Sequence, residues 1–235
     1  MDIHTVVPEM KTVSAIDSLG QWIEDEGLLV MLHEEAALSV DGSPDQEAQF
    51  VSCFALVDSD VETVREAVRD YENYENILDE ITSSTPHPSS NGKTRVDLTL
   101  TMDTPIFSPN FNYSLEYQTA DNGDLLYRDV SGDFDNILGR WEFLEAGDRT
   151  LLIHTVWNDY SNLGFTFRTM FWAQPDLKIA MPMTQAAVMT EQIRLSLSSE
   201  TNSPPESLDS LPDEPATPAL TRSGLPKEAL LELAE

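Results

Sequence analysis

Between residues 93 and 160, apolar side chains return at every second position over one stretch after another. VDLTLTM sets Val96, Leu98, Leu100 and Met102 against Asp97, Thr99 and Thr101. FNYSLEY repeats the device with Phe111, Tyr113, Leu115 and Tyr117. DLLYRDVSGDFDN, ILGRWEFLE and RTLLIHTVWNDY carry it on, with turn-forming DNGD and EAGD between them. A period of two marks strands with one buried face, and loops this short join antiparallel neighbours. Then the period changes. From Pro175 to Ser198, Ile179, Met183, Ala186, Thr190, Ile193 and Leu197 recur at steps of three and four, the stripe of an amphipathic helix. Pro182 must kink this helix or mark its start. One antiparallel sheet and one long helix therefore have to cover each other's apolar faces.

The preceding segments fit around that pair. Two β-rich runs, LLVMLHEEAAL and AQFVSCFALV, flank DGSPDQE and predict a long hairpin from Leu28 to Val57. Asp58 or Asp60 can cap a helix through VETVREAVRD, with Val61, Val64 and Val68 at helical spacing, and a second short helix fits Tyr74 to Ile81. The segment RDYENYENILDEI, residues 69–81, holds five carboxylates, two tyrosines and an arginine. On a helix pair, Tyr71, Tyr74, Ile77, Leu78 and Ile81 would face the sheet, while Glu72, Glu75, Asp79 and Glu80 would face water. The segment then reads as scaffold, not as an acidic site. Residues 1–27 form a polar, weakly helical lead-in, and 28–198 make the domain. Residues 199–235 carry five prolines before Gly224 and no aromatic residue. That composition predicts a disordered acidic tail, since it offers too little apolar surface to offset the entropy of ordering. Its last stretch, PKEALLELAE, could form a short docking helix or a frayed end.

Charge narrows the partners. The chain has 42 acidic and 13 basic residues, a net charge of −29. The excess is spread as −10 over 1–48, −13 over 49–198 and −6 over 199–235. Such a surface repels phosphate backbones and anionic headgroups, so no nucleic acid and at most transient membrane contact are expected. A high-salt habitat would account for the acids. Cys53 is the only cysteine, which excludes a disulfide framework and a thiolate metal cluster. The first residues lack the basic and apolar regions of a signal peptide, and no run approaches 18 apolar residues, so a cytoplasmic protein is expected.

The strand feeding VDSDVETVREAVRDYENYENILDEI, the later GDFDNILGRWEFLEAGDRTLLIHTVW and the helix from about 175 to 198 together resemble the START-like superfamily. Within it, the polyketide cyclase/dehydrase and coenzyme-Q-binding, lipid-transport group is the nearest pattern. Asp70, Tyr71, Glu72 and Tyr74 match an acidic "DYExY" element linking two short helices, and Gly139 and Trp141 match a "GxW" strand. The usual Pro after the second Tyr is Glu75, and the "GT" turn is Asp148-Arg149-Thr150. The resemblance covers roughly 48–198. It implies an α+β helix-grip fold, with a curved antiparallel sheet wrapped around the C-terminal helix, and a hydrophobic cavity between them.

Signatures of chemistry are few. His4, His33, His87 and His154 have no metal-ligand spacing, and no nucleophile elbow, P-loop or dinucleotide fingerprint is present. Asp129, Asp133 and Asp135 alternate with Val130 and Phe134, so strand alternation sends the acids outward and no calcium site is expected. Arg95, Arg128 and Arg140 are expected to pair with neighbouring acids. His154 is the one weak catalytic candidate, with a core histidine the simpler reading. The aromatics of PIFSPNFNY and NLGFTFRTMFW, Phe107, Phe111, Phe165, Phe167, Phe171 and Trp172, are read as loops or strand ends that could form a lip. Met102, Met181, Met183 and Met189 suit an irregular ligand or a filled core equally.

The expected function is binding of a hydrophobic small molecule, a lipid or isoprenoid quinone, without catalysis, metal or cofactor. The expected lining is Met102, Phe111, Tyr113, Val130, Phe134, Trp141, Met183, Ala186 and Thr190. Two rivals stand beside it: an aromatase/cyclase-type enzyme, with His154 and Tyr113 or Tyr117 moving protons, and a protein-interaction module with a vestigial cavity.

Overall fold

The computed structural model describes residues 6–12, 19, 23–24, 27–38, 46–88, 90–101, 108–134, 136–160 and 163–198. Met102, Phe107, Asp135 and the 199–235 segment lie outside the described residues.

The expected hairpin is interrupted. Strand β1 (Leu28–Leu32) pairs with β4 (Val51–Val57), Val30 opposite Cys53. Short strands β2 (Ala36–Leu38) and β3 (Gln46–Ala48) form a separate two-stranded ribbon beyond them. Helix α1 (Val61–Arg69) follows, with the Asp60 carboxylate accepting from the N–H groups of Glu62 and Thr63 at 3.0 Å each. A 3₁₀ turn at Tyr71–Asn73 leads into a one-turn helix α2 (Tyr74–Ile77). This second helix is shorter than the spacing predicts. Ile81 opens a strand instead, β5 (Ile81–Pro86), which the polar run Thr82-Ser83-Ser84-Thr85 hides from a hydrophobicity pattern. Most of this segment divides as predicted: Tyr71, Tyr74, Leu78 and Ile81 are buried and Glu72, Glu75 and Asp79 are exposed, while Ile77 and Glu80 are only half-buried.

From β5 the chain runs back as a meander: β6 (Lys93–Thr101), β7 (Asn110–Thr119), β8 (Leu125–Gly132), β9 (Asn136–Ala146) and β10 (Arg149–Asp159). The final strand pairs with β4, giving one eight-stranded antiparallel sheet in the order β1-β4-β10-β9-β8-β7-β6-β5. Helices α1 and α2 thus carry the chain from the interior of the sheet to its far edge. Register shifts in the β5–β6 and β7–β8 pairs are bulges of the kind that bend strands.

One bulge overturns a sequence expectation. Ser114 faces Ser131 and Leu115 faces Asp129, which leaves Val130 as the extra residue, 41% exposed. Simple alternation had placed it on the inner face. The Asp129 carboxylate accepts a 2.7 Å hydrogen bond from the Ile137 N–H on β9, and Asp133 accepts one from the Asn112 N–H at the same distance.

A second correction concerns NLGFTFRTMFW. Gly164–Ala173 is a helix, α3, and not a loop or strand end. Aromatic and β-branched residues are weak helix formers, so propensity argues against it and burial of Phe167 and Phe171 decides. The long helix α4 (Leu177–Leu197) then lies over β4, β10 and β1, also touching α1 and α2. Pro182 sits inside it, so the proline does not mark its start. This is the α+β helix-grip architecture implied by the resemblance.

Both faces of the sheet are covered in part. The inner face packs on α4 through Cys53, Tyr113, Trp141, His154 and Ala186, among others. Against the outer face lie Val7, Met10, Leu19 and Ile23 of the polar lead-in, all buried beside Phe54, Leu151, Ile153 or Trp157. Glu142, fully buried on that face, accepts the backbone N–H groups of Met10 and Lys11 at 2.9 Å each.

Candidate ligand-binding site

The centre of the inner face is solid. Trp141 on β9 and His154 on β10 are direct partners in the sheet and stack with ring centroids 3.7 Å apart and 4° between planes. The Tyr127 hydroxyl lies 2.6 Å from His154 Nε2. Burial holds the His154 imidazole down to about 3, an effect partly offset by the Ala186 carbonyl on α4. Nδ1 is buried without a hydrogen-bond partner, so the contact between Nε2 and the Tyr127 hydroxyl is the ring's one side-chain hydrogen bond among the described residues. Burial raises the Tyr127 phenol well above its ordinary value, so both partners are neutral near pH 7. Gly139 makes the arrangement possible. A Cβ there would come within 2.1 Å of Tyr127 Cζ and 2.3 Å of its Oη, so the Gly139-x-Trp141 spacing serves ring packing.

Ala186 and Thr190 close this layer from above. Both are fully buried, and the Thr190 hydroxyl donates to the Ala186 carbonyl at 2.7 Å. Phe111, Tyr113 and Phe134 form a separate aromatic cluster, with centroids 5.2–5.3 Å apart around Phe134. Met183 packs on the core at its edge. Among the expected lining residues, then, Trp141, Ala186 and Thr190 come together with His154, and Phe111, Tyr113 and Phe134 with one another. Val130 joins neither group. These sets fill space and leave little of it. An internal void of ≈20 Å³, about one water molecule, remains between Tyr74, Tyr113, Tyr117, Tyr127, Gln185 and Met189.

The larger space is a groove of ≈580 Å³ beside the core. Helix α4 covers the β1–β4–β10 half of the sheet, and the groove runs along its other flank, facing β5 and β6, with Leu78–Glu80 of the turn after α2 and Phe167 and Met170 of α3 also lining it. Leu78, Ile81, Leu100, Phe167, Met170, Met181 and Met189 give it apolar walls; Asp79, Glu80, Thr82, Thr101, Thr184 and Gln185 bring polar groups. Leu78, Ile81, Gln185 and Met189 also bound the internal void, so four side chains separate the groove from the tyrosine cluster. Sequence reasoning singled out Met181 and Met189 as flexible and Phe167 as part of an aromatic lip, and did not place the other lining residues at a site. Phe167 and Met170 depend on α3, and Ile81 on β5, the two elements it did not predict.

Glu9, Asp124 and Glu142 converge on the outer face closely enough to suggest a metal. The cations are already there. Lys11 Nζ lies 2.7 Å from Asp124 and 3.9 Å from Glu9, and Arg140 lies 3.5 Å from Glu9. Arg95 pairs with Asp97 at 3.0 Å and Arg128 with Glu116 at 3.4 Å, as predicted.

No protein-family profile matches the sequence. No curated protein matches it either. Solved structures superpose on it. A START superfamily protein from Mycobacterium smegmatis is 18% identical with a TM-score of 0.49, over 63% of this chain and 96% of that one. An aromatase/cyclase from Streptomyces sp. R1128 is 16% identical with a TM-score of 0.46, over 63% and 96%. A STAR-related lipid transfer protein from Xanthomonas axonopodis is 14% identical with a TM-score of 0.45, over 71% and 94%. Likeness at this level assigns no activity. Among the described residues, no helix is long and apolar enough to cross a membrane.

Proposed function

We propose that the protein is a noncatalytic cytoplasmic carrier, binding an elongated hydrophobic molecule such as a lipid or isoprenoid quinone in the groove between α4, α3 and the β5–β6 edge. The observation that carries this reading is the groove itself: ≈580 Å³ with apolar walls and polar groups at hand, within the size range of small-molecule sites. Apolar ligands gain about 25 cal/mol per Å² removed from water, and thioethers adapt to irregular shapes; Met170, Met181 and Met189 supply them. Rotation of Met189 and Gln185 would join the groove to the internal void and extend the site toward the tyrosines.

The cyclase alternative needs a proton-transferring group in contact with substrate. His154 is fully buried between Trp141 and Tyr127, is not on the groove, and is a neutral imidazole near pH 7, with no imidazolium to act as an acid.

Native mass spectrometry and organic extraction of the purified protein test the proposal directly. A fluorescent fatty-acid probe should bind saturably, and Ala180→Trp, at an exposed groove position, should weaken it about tenfold or more by filling space without raising the cost of folding. Absence of any extractable ligand together with probe binding indifferent to Ala180→Trp would refute it.

A further inference from the structure

Helix α3 divides two hollows. Phe167 and Met170 line the carrier groove, and Phe171 lines a second cleft between β1, β10 and the start of α4. Trp172 belongs to neither. Its indole is 84% exposed in the last turn of α3, although tryptophan is among the side chains most deeply buried on average. Ala173, Pro175, Ile179 and Ala180 continue the exposed apolar surface into the first turn of α4. The charge changes at the same place. Residues 160–190 hold one acid, Asp176, where the chain's average density would put five or six. Two cations, Arg168 and Lys178, are exposed there, and neither has an ion pair among the described residues. Carboxylates return on both flanks, Glu35, Glu47 and Asp159 in the cleft and Asp79 and Glu80 in the groove.

We propose that this corner, α3 with the first turn of α4, docks on a zwitterionic lipid bilayer with Trp172 as its anchor. An indole exposed to this degree stands out from the surface, and a fluid bilayer interface receives a protruding aromatic ring without a preformed pocket. A second copy of the chain would instead bring −29 against −29. A phosphocholine surface matches the charges present: its phosphates meet Arg168 and Lys178, and its ammonium groups meet the carboxylates on the flanks. An anionic surface would repel those flanks and the rest of the chain. Docking carries the groove wall formed by Phe167 and Met170 to the bilayer, where a hydrophobic cargo dissolves, but it does not depend on that cargo.

Cosedimentation of the full chain with phosphatidylcholine vesicles tests this. Binding should be reversible and half complete at about millimolar lipid or below, and replacing half of the lipid by phosphatidylserine should weaken it. Trp172→Ser should lose about tenfold or more, with Trp172→Phe falling between it and the parent. Because the indole is exposed, Trp172→Ser should melt at the parent's Tm. Vesicles should also shift tryptophan emission to the blue in the parent and not in this variant. No binding to phosphatidylcholine, equal binding by Trp172→Ser, or tighter binding once phosphatidylserine is present would each overturn the proposal. Self-association of the parent that Trp172→Ser abolishes would give the face to a second copy and overturn it as well.

Discussion

Replacing Gly139 by alanine adds one methyl group at the point where the Tyr127 ring crosses β9. The three atoms nearest that methyl all belong to Tyr127, at 2.1–2.5 Å, far inside contact distance. The ring must move, and the 2.6 Å bond from its hydroxyl to His154 Nε2 moves with it. Overpacking a core by a methyl costs about 1–3 kcal/mol, and stranding a buried polar group about 1–3 more. Partial relaxation brings the expected total to about 2–5 kcal/mol. For a domain of this length, about 3 kcal/mol lowers Tm by about 6–12 °C, readable by circular dichroism. A double-mutant cycle isolates the cause. In a Tyr127→Ala background the methyl meets no ring, and alanine is the better strand residue, so Gly139→Ala should then be neutral or slightly stabilising. An equal cost in both backgrounds, or a loss below about 0.5 kcal/mol in the parent, would refute the packing argument.

Ala186→Trp should destabilise by about 3 kcal/mol or more in thermal unfolding, because the ≈20 Å³ void beneath α4 cannot accept an indole. His154 predicts a pH dependence. Its folded value near 3 lies below the unfolded 6.5, so the unfolded chain binds the extra proton between those limits and stability falls as pH drops through that window, by up to about 1.4 kcal/mol per unit. Glu142, raised by burial, acts in the opposite sense just above its ordinary range, so comparing parent with His154→Gln in denaturant titrations at pH 5 and 6.5 isolates the histidine, and the variant's slope should be shallower. Glu142→Leu should free the Met10 and Lys11 amides, seen as faster hydrogen exchange there and a loss of about 2–4 kcal/mol. Truncation after Ser198 should leave Tm within a degree or two, as the composition of 199–235 offers no core to lose.

Much of the fold was legible because its strands are long. Burial alternates with period two in β6 and over much of β7, while β9 and β10 are buried on both faces and were found by their length and their turns, and one apolar stripe sufficed for α4 itself. The misses share a cause. Strand β5 is an edge strand whose outward residues are Thr and Ser, and only Ile81 at its start, Ser84 in its middle and Pro86 at its end are not exposed. Helix α3 has apolar residues almost all round, so no stripe distinguishes it. Val130 fails by one residue, because a bulge breaks alternation there; Gly132, two residues on in the same strand, was the one signal that could have announced it. Periodicity reports whether a residue is buried on average along an element, and it is blind to the single extra residue and the one-turn connection.

The candidate site was less legible for a reason that follows from the same limits. Inward-pointing residues on β7, β9 and the facing stripe of α4 are those a pattern finds first, and in this chain they are consumed by packing: Trp141 on His154, Ala186 and Thr190 over them, Phe134 between Phe111 and Tyr113. Space is left where elements fail to meet, along the flank of α4 that faces β5 and α3. Its walls come from the positions adjoining the stripe, such as Ala180, Met181, Val188 and Met189, together with elements that periodicity could not resolve. A sequence pattern names the residues that touch. A binding groove is made by those that nearly do, so the residues of greatest interest in such a fold lie one helical step to the side of the most hydrophobic stripe.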